Sequence, residues 1–259
     1  MSLRPLGQSV RPSPVFLVIV ASTVLGGVLA WLAAESVTVL AYAGVFVFVI
    51  AGWVLSLSLH EFGHAYTAWR FGDHDVAVRG YLTLNPLKYS SPLLSLGLPL
   101  LFIALGGIGL PGGAVYVQTA RMTPRQRTVV SLAGPLANLV LAVLLLTCAR
   151  LFYDAAHGVF WAGVAFLGFL QVTALLLNLL PIPGLDGYGA LEPHLSYDTQ
   201  RALDRFKPWG FMILLLLLIA PQLNQWFFGG VYWLYELSGV PAYLSSVGGQ
   251  LTRFWSAWL

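Results

Sequence analysis

Five long apolar runs constrain this chain more than any other feature in it. Val15–Ala34, Ser36–Leu59, Thr128–Ala149, Val159–Leu180 and roughly Trp209–Phe228 each continue for about 20 residues without a charged side chain, the length of helix that crosses a hydrocarbon core of about 30 Å. Lipid offers the backbone no hydrogen-bond partners, so such runs cross as helices. Only 9% of the 259 residues are charged, against about 25% in an ordinary soluble domain, so water is not the main solvent for this surface. The expected fold is an all-α polytopic membrane protein with about five spanning helices. The first run follows a flank carrying Arg4 and Arg11 and ends in Ala-Ala-Glu. At 20 residues it is too long for a signal-peptide core and is read as the first span.

The basic residues set the orientation. With the N-terminus in the cytosol, Arg4, Arg11, Arg70, Arg79, Lys88, Arg121, Arg125, Arg127, Arg201, Arg205 and Lys207 lie inside, and only Arg150 and Arg253 lie outside, 11 of 13 on one side. They form no continuous stripe, so the net charge of +3 does not point to nucleic acid. Lys88 and Arg121 are both inside, so the apolar stretch Ser91–Val117 must begin and end on the same face. Pro92, Pro99, Pro111 and six glycines argue against a straight helix there. It is expected to be a re-entrant hairpin folded against protein. Beside it, Val76–Leu84 and Ala114–Gln118 are rich in β-branched and aromatic residues, which predicts a small β element at the cytosolic face, the other reading being an irregular amphipathic loop. Residues 229–259 carry Trp233, Tyr235, Tyr243, Phe254, Trp255 and Trp258 and read as an interfacial C-terminal tail along the outer leaflet. Cys148, alone and within an apolar run, excludes a disulfide framework or a cysteine-based metal site.

The second run ends in Leu59-His60-Glu61-Phe62-Gly63-His64. On a helix His60 and His64 are one turn apart on one face, so both imidazoles can reach a single metal ion. Glu61 beside them is placed to take a proton from a metal-bound water. The pentapeptide alone is a moderate signal, since a polar helix end emerging into water would read alike. Its place at the end of an uncharged run strengthens it, because a charge at the bilayer centre costs about 2.5–3.5 kcal/mol. Zinc is the metal that this donor pattern favours.

A catalytic zinc usually takes three protein ligands and keeps one open position. His157 falls in the outer loop, whereas His74 and His194 fall on the same side as His64. Asp186, in Asn178-Leu-Leu-Pro-Ile-Pro-Gly-Leu-Asp-Gly-Tyr-Gly189, follows the fourth span, where Pro181, Pro183, Gly184 and Gly187 break the helix and can turn the backbone inward. An Asp-Gly pair is equally at home in a simple turn or cap, so spacing leaves both readings open.

These stretches together resemble the site-2 protease family of intramembrane zinc metalloproteases, in its short prokaryotic branch. The resemblance rests on His60-Glu61-Phe62-Gly63-His64, on Leu185-Asp186-Gly187 after Asn178 and Pro181, on Gly134-Pro135 followed by Asn138, and on Thr83–Lys88. It covers roughly residues 36–195, the core of what is then one integral membrane metalloprotease domain over residues 1–259. No inserted PDZ-like or CBS-like domain is expected, and Gly184 stands where many relatives carry proline.

The resemblance implies one zinc ion per chain held by His60, His64 and Asp186, with Glu61 as general base. It implies hydrolysis of a peptide bond in or near the transmembrane segment of a membrane protein, in regulated intramembrane proteolysis. The chain would then be a multi-pass protein of a prokaryotic cell membrane, with a transmembrane protein substrate and the lipid bilayer as its partners. Asn138 and Asn178, amides on apolar helices, are candidates for binding substrate or the oxyanion, or for interhelical hydrogen bonding. The rival classes are a metal-binding membrane transporter and a non-catalytic membrane scaffold. No pair of matching interrupted segments recurs in two halves to favour the transporter.

Overall fold

The computed structural model describes residues 10–89, 97, 100, 103 and 115–257. Apart from residues 97, 100, 103 and 115–117, the 91–117 hairpin lies outside them. The described elements are α1 (Pro14–Leu32), α2 (Val39–Arg70), α3 (Asp75–Val78), α4 (Pro124–Phe152), α5 (Gly158–Leu179), α6 (Asp186–Leu191), α7 (Tyr197–Asp204), α8 (Gly210–Ile219), α9 (Pro221–Glu236) and α10 (Ala242–Leu251), joined by short 3-10 turns. Four helices are long and apolar enough to cross a membrane, or five if the bent pair α8–α9 counts as one span.

Local chemistry sets where the long helices start. Ser13 accepts from the Phe16 amide at the head of α1, and Thr38 does the same for Ala41 at the head of α2. Thr123 and Gln126 close a reciprocal capping box on α4, with Pro124 at its first position. At 32 residues, α2 is about 48 Å long, so it outruns a hydrocarbon core of about 30 Å. His60 falls about 32 Å along it, near the far membrane boundary.

The bundle is built around α5. In its most apolar window 89% of residues are buried, against 17% for α1. On the outer helices Leu17, Val18, Val24 and Leu25 of α1 and Leu136, Val140, Val143 and Leu144 of α4 are exposed, an apolar rim suited to lipid. Small residues let backbones meet: a Cβ on Gly26 would collide with the Phe48 amide nitrogen and lie 2.8 Å from its Cα. The aromatic tail does not stand apart from this core, because α9 and α10 both pack against α5.

Two expectations need correction. There is no strand among the described residues, so the small β element is absent from them. The Asp73 carboxylate accepts from the Asp75 amide, and the β-branched run enters the one-turn helix α3 instead. Left-handed backbone at Gly80 (φ 79°) and Leu84 (φ 57°) then coils residues 81–83 into a 3-10 turn. Residues 115–118 are irregular and pair with no strand. Their Val115 and Gln118 amides donate to Glu61 Oε2 (3.0 Å) and Asp73 Oδ2 (2.7 Å), side chains rather than a ladder. The run Trp209–Phe228, in turn, is not one straight helix. Ala220, extended at ψ 120° ahead of Pro221, breaks it into α8 and α9 at 86°, because a residue before proline is pushed out of helical conformation.

Candidate metal centre

The site forms where α2, α4 and α6 meet. His60 and His64 project from one face of α2, and their Nε2 atoms lie 3.1 Å apart. Asp186, the first residue of α6, closes a triangle with Oδ2 3.2 Å from His60 Nε2 and Oδ1 3.3 Å from His64 Nε2. Tetrahedral zinc with ligands at about 2.0–2.1 Å sets neighbouring donor atoms roughly 3.3 Å apart, and each of these contacts is of that size, the two to Asp186 being made by its two different oxygens. Among the described residues, this is the one cluster of three such groups able to hold a metal ion.

Hydrogen bonding sets the electronic state of the triangle. His64 Nδ1 lies 2.8 Å from the Val130 carbonyl oxygen, which can only accept, so the proton of His64 is on Nδ1 and Nε2 presents a lone pair. His60 Nδ1 lies 2.6 Å from Asn138 Oδ1 and is protonated in the same way. Asp186 Oδ2 is buried and has no hydrogen-bond partner. With both imidazoles neutral, their Nε2 lone pairs and the Asp186 carboxylate face one another across the site, an arrangement that a bound cation would stabilise. The space for that cation comes from Gly134: a Cβ there would collide with His64 Nε2 and stand 2.6 Å from His60 Nε2. Donor set, spacing and cradle all fit zinc.

The loop carrying Asp186 is held by its own contacts. Gly184 adopts φ 101°, a left-handed backbone that favours glycine and that a proline ring, locked near −65°, cannot reach. Glu192 ties the end of α6 to α4 through Arg127 (3.5 Å) and to the next turn through Lys207 (2.8 Å). Burial alone would lower the Lys207 pKa, but the Asp204 and Glu192 carboxylates outweigh it and hold the ammonium above its usual value.

A cavity of about 390 Å³ opens onto the triangle. Its lining includes Trp53, Glu61, Asn178, Lys207 and Leu214. Glu61 is buried with Oε2 occupied by the Val115 amide. Asn178 faces the cavity and makes no side-chain hydrogen bond to another described residue, whereas both ends of the Asn138 amide are engaged, by His60 and by Gln171. Of the histidines left without a role, His194 Nε2 lies 2.9 Å from Thr128 Oγ1, and His74 stands edge-on to Trp69. His157 stacks on Trp31, with ring centroids 3.5 Å apart. Gln171 and Gly134 escaped attention as site residues in the sequence, since neither is a metal-ligand type, although Gly134 lies within one of the motifs.

Fold and donor set together define a polytopic membrane protein with a His–His–carboxylate centre at a helix-bundle cavity. Residues 47–154 match the model of peptidase family M50. The chain is 70% identical over 258 residues, all of both chains, to "Putative zinc metalloprotease Rip2" of Mycolicibacterium smegmatis. It is 68% identical over 251 residues, 97% of each chain, to the protein of that name from Mycobacterium tuberculosis. A more distant relative, "Putative zinc metalloprotease YwhC" of Bacillus subtilis, is 30% identical over 179 residues, 65% of this chain and 78% of the relative. The chain belongs to peptidase family M50, the site-2 protease family. No solved structure matches it.

Proposed function

We propose that this chain is an intramembrane zinc metalloprotease that hydrolyses a peptide bond in or near the transmembrane segment of a membrane protein. The observation that carries the reading is the convergence of His60 Nε2, His64 Nε2 and Asp186 on one point at the wall of a cavity inside a membrane bundle. These three residues would hold the ion. When bound, zinc supplies Lewis acidity, which polarises a carbonyl and makes water a nucleophile at neutral pH.

The remaining roles belong to the chain's own groups. Glu61 is the general base. The Val115 amide fixes its Oε2, leaving Oε1 to take the proton of the attacking water and deliver it to the leaving amine. Asn178, at the cavity wall and without a side-chain hydrogen bond to another described residue, hydrogen-bonds the substrate backbone, whose amides are exposed only after its helix unwinds. Asn138 acts on His60 rather than on substrate. The distribution of basic residues supports a cytosolic N-terminus and puts the centre near the cytosolic boundary.

The test is zinc content and cleavage of a single-span substrate by the purified chain in detergent, wild type against Glu61→Gln. About one zinc per chain in both, with cleavage lost only in Glu61→Gln, is expected. A wild type free of zinc, or a Glu61→Gln chain that still cleaves, overturns the reading.

A further inference from the structure

His64 and His60 reach the same protonation pattern by different means. The partner of His64 Nδ1 is a backbone carbonyl, which leaves no choice. The partner of His60 Nδ1 is a carboxamide, which can present either its oxygen or its nitrogen. If Asn138 turned its NH₂ towards His60, Nδ1 would have to accept, the proton would move to Nε2, and the lone pair aimed at the metal would be lost. Something must hold Asn138 one way round.

That something is a chain of hydrogen bonds crossing three helices. Ser56 Oγ lies 2.8 Å from the Trp53 carbonyl oxygen, so its single hydrogen is committed there. Towards Gln171 it can then only accept, and it does so from Nε2 at 3.0 Å. Gln171 therefore shows Oε1 to Asn138, which must donate from Nδ2 at 2.8 Å. That leaves Asn138 Oδ1 facing His60 Nδ1. Gln171 on α5 is fully buried, and Ser56 and Asn138, which reach the cavity wall, are nearly so. Polarity set at one backbone carbonyl is handed through three side chains to an imidazole.

We infer that Gln171 is a positioning residue for the metal centre: by bridging Ser56 to Asn138 it locks His60 in the tautomer whose Nε2 lone pair faces the ion. The inference rests on the metal reading above. Gln171 touches neither the ion nor the cavity and acts wholly through Asn138.

Zinc affinity is measured by competition with a chromophoric chelator on the full chain in detergent, for wild type, Gln171→Met and Gln171→Glu. Methionine keeps the size and flexibility of glutamine but has no polar ends. Zinc binding is expected to weaken by about 10–100-fold, as for loss of outer-shell partners elsewhere. Glutamate, buried without a counter-charge, enters as the neutral acid. Its O–H can donate to Ser56 and its carbonyl can accept from Asn138, so affinity close to wild type is expected. A packing role predicts the opposite order, with methionine tolerated and the buried acid not. Equal zinc affinity in wild type and Gln171→Met, or that opposite order, overturns the inference alone. A wild type that takes up no zinc overturns the metal reading beneath it. Nitrogen NMR of the histidines in the chelated wild type at alkaline pH gives a readout independent of any variant. His60 protonated on Nδ1 is expected, and His60 protonated on Nε2 overturns the inference.

Discussion

Gly134→Ala tests the centre with the smallest possible change. The added methyl would collide with His64 Nε2 and sit 2.6 Å from His60 Nε2. Carbon contacts are comfortable from about 3.5 Å, so His60 would have to retreat by roughly 0.9 Å, and His64 by more. Metal–ligand distances tolerate only about 0.2 Å. Neither ring can yield freely, because Asn138 holds one at Nδ1 and the Val130 carbonyl holds the other. The methyl also crowds both of the nitrogens that would bind the ion. Zinc affinity is therefore expected to fall by more than the roughly 10–100-fold of an outer-shell defect, and cleavage with it. The fold should survive, because the nearest atoms are imidazole tips rather than backbone. Thermal unfolding in detergent should show no more than the roughly 1–3 kcal/mol of an overpacked site. The assay is zinc per chain by atomic emission, paired with a melting curve. A Gly134→Ala chain that holds one zinc at wild-type affinity would refute this placement of the ion.

Other perturbations separate metal, chemistry and scaffold. Gly63→Ala drives its Cβ to 2.7 Å from the Ala133 carbonyl oxygen, a backbone contact between α2 and α4. It should lower the melting temperature, by about 1–3 kcal/mol in stability, and reduce zinc content only through misfolding. Asp186→Ala removes the single carboxylate of the triangle and should weaken zinc binding in the chelator competition while leaving the bundle's helicity by circular dichroism unchanged. Chelation of the wild type should abolish cleavage and added zinc should restore it; cleavage that persists after complete removal would argue against metal chemistry. Gly26→Leu, which presses a side chain into the Phe48 backbone, should destabilise the α1–α2 pair without touching the centre, read as a lower melting temperature at unchanged zinc affinity.

Much of the site was legible in the sequence because it is written at short range. Two histidines four residues apart share a helix face whatever the rest of the chain does, and uncharged runs of 20 residues must find lipid or a core. The β element was misread for the same reason: local β-branched composition favours a strand, but a strand needs a partner. The Asp73 and Glu61 carboxylates took the amides that a partner would have used. The signal for the break between α8 and α9 was Pro221, hidden within an otherwise apolar run.

The sequence by itself determined the medium, the long helices and the pair of donors at His60 and His64, since each follows from composition or helical period. Only the tertiary structure decided that Asp186 meets those donors, that Gly134 leaves the space between them and that Asn138 and Gln171 orient His60. The hydrogen bonds that run from His60 through Asn138 and Gln171 to Ser56 join residues 78, 33 and 115 positions apart. Nothing in local spacing encodes them, because they exist only once α2, α4 and α5 have packed.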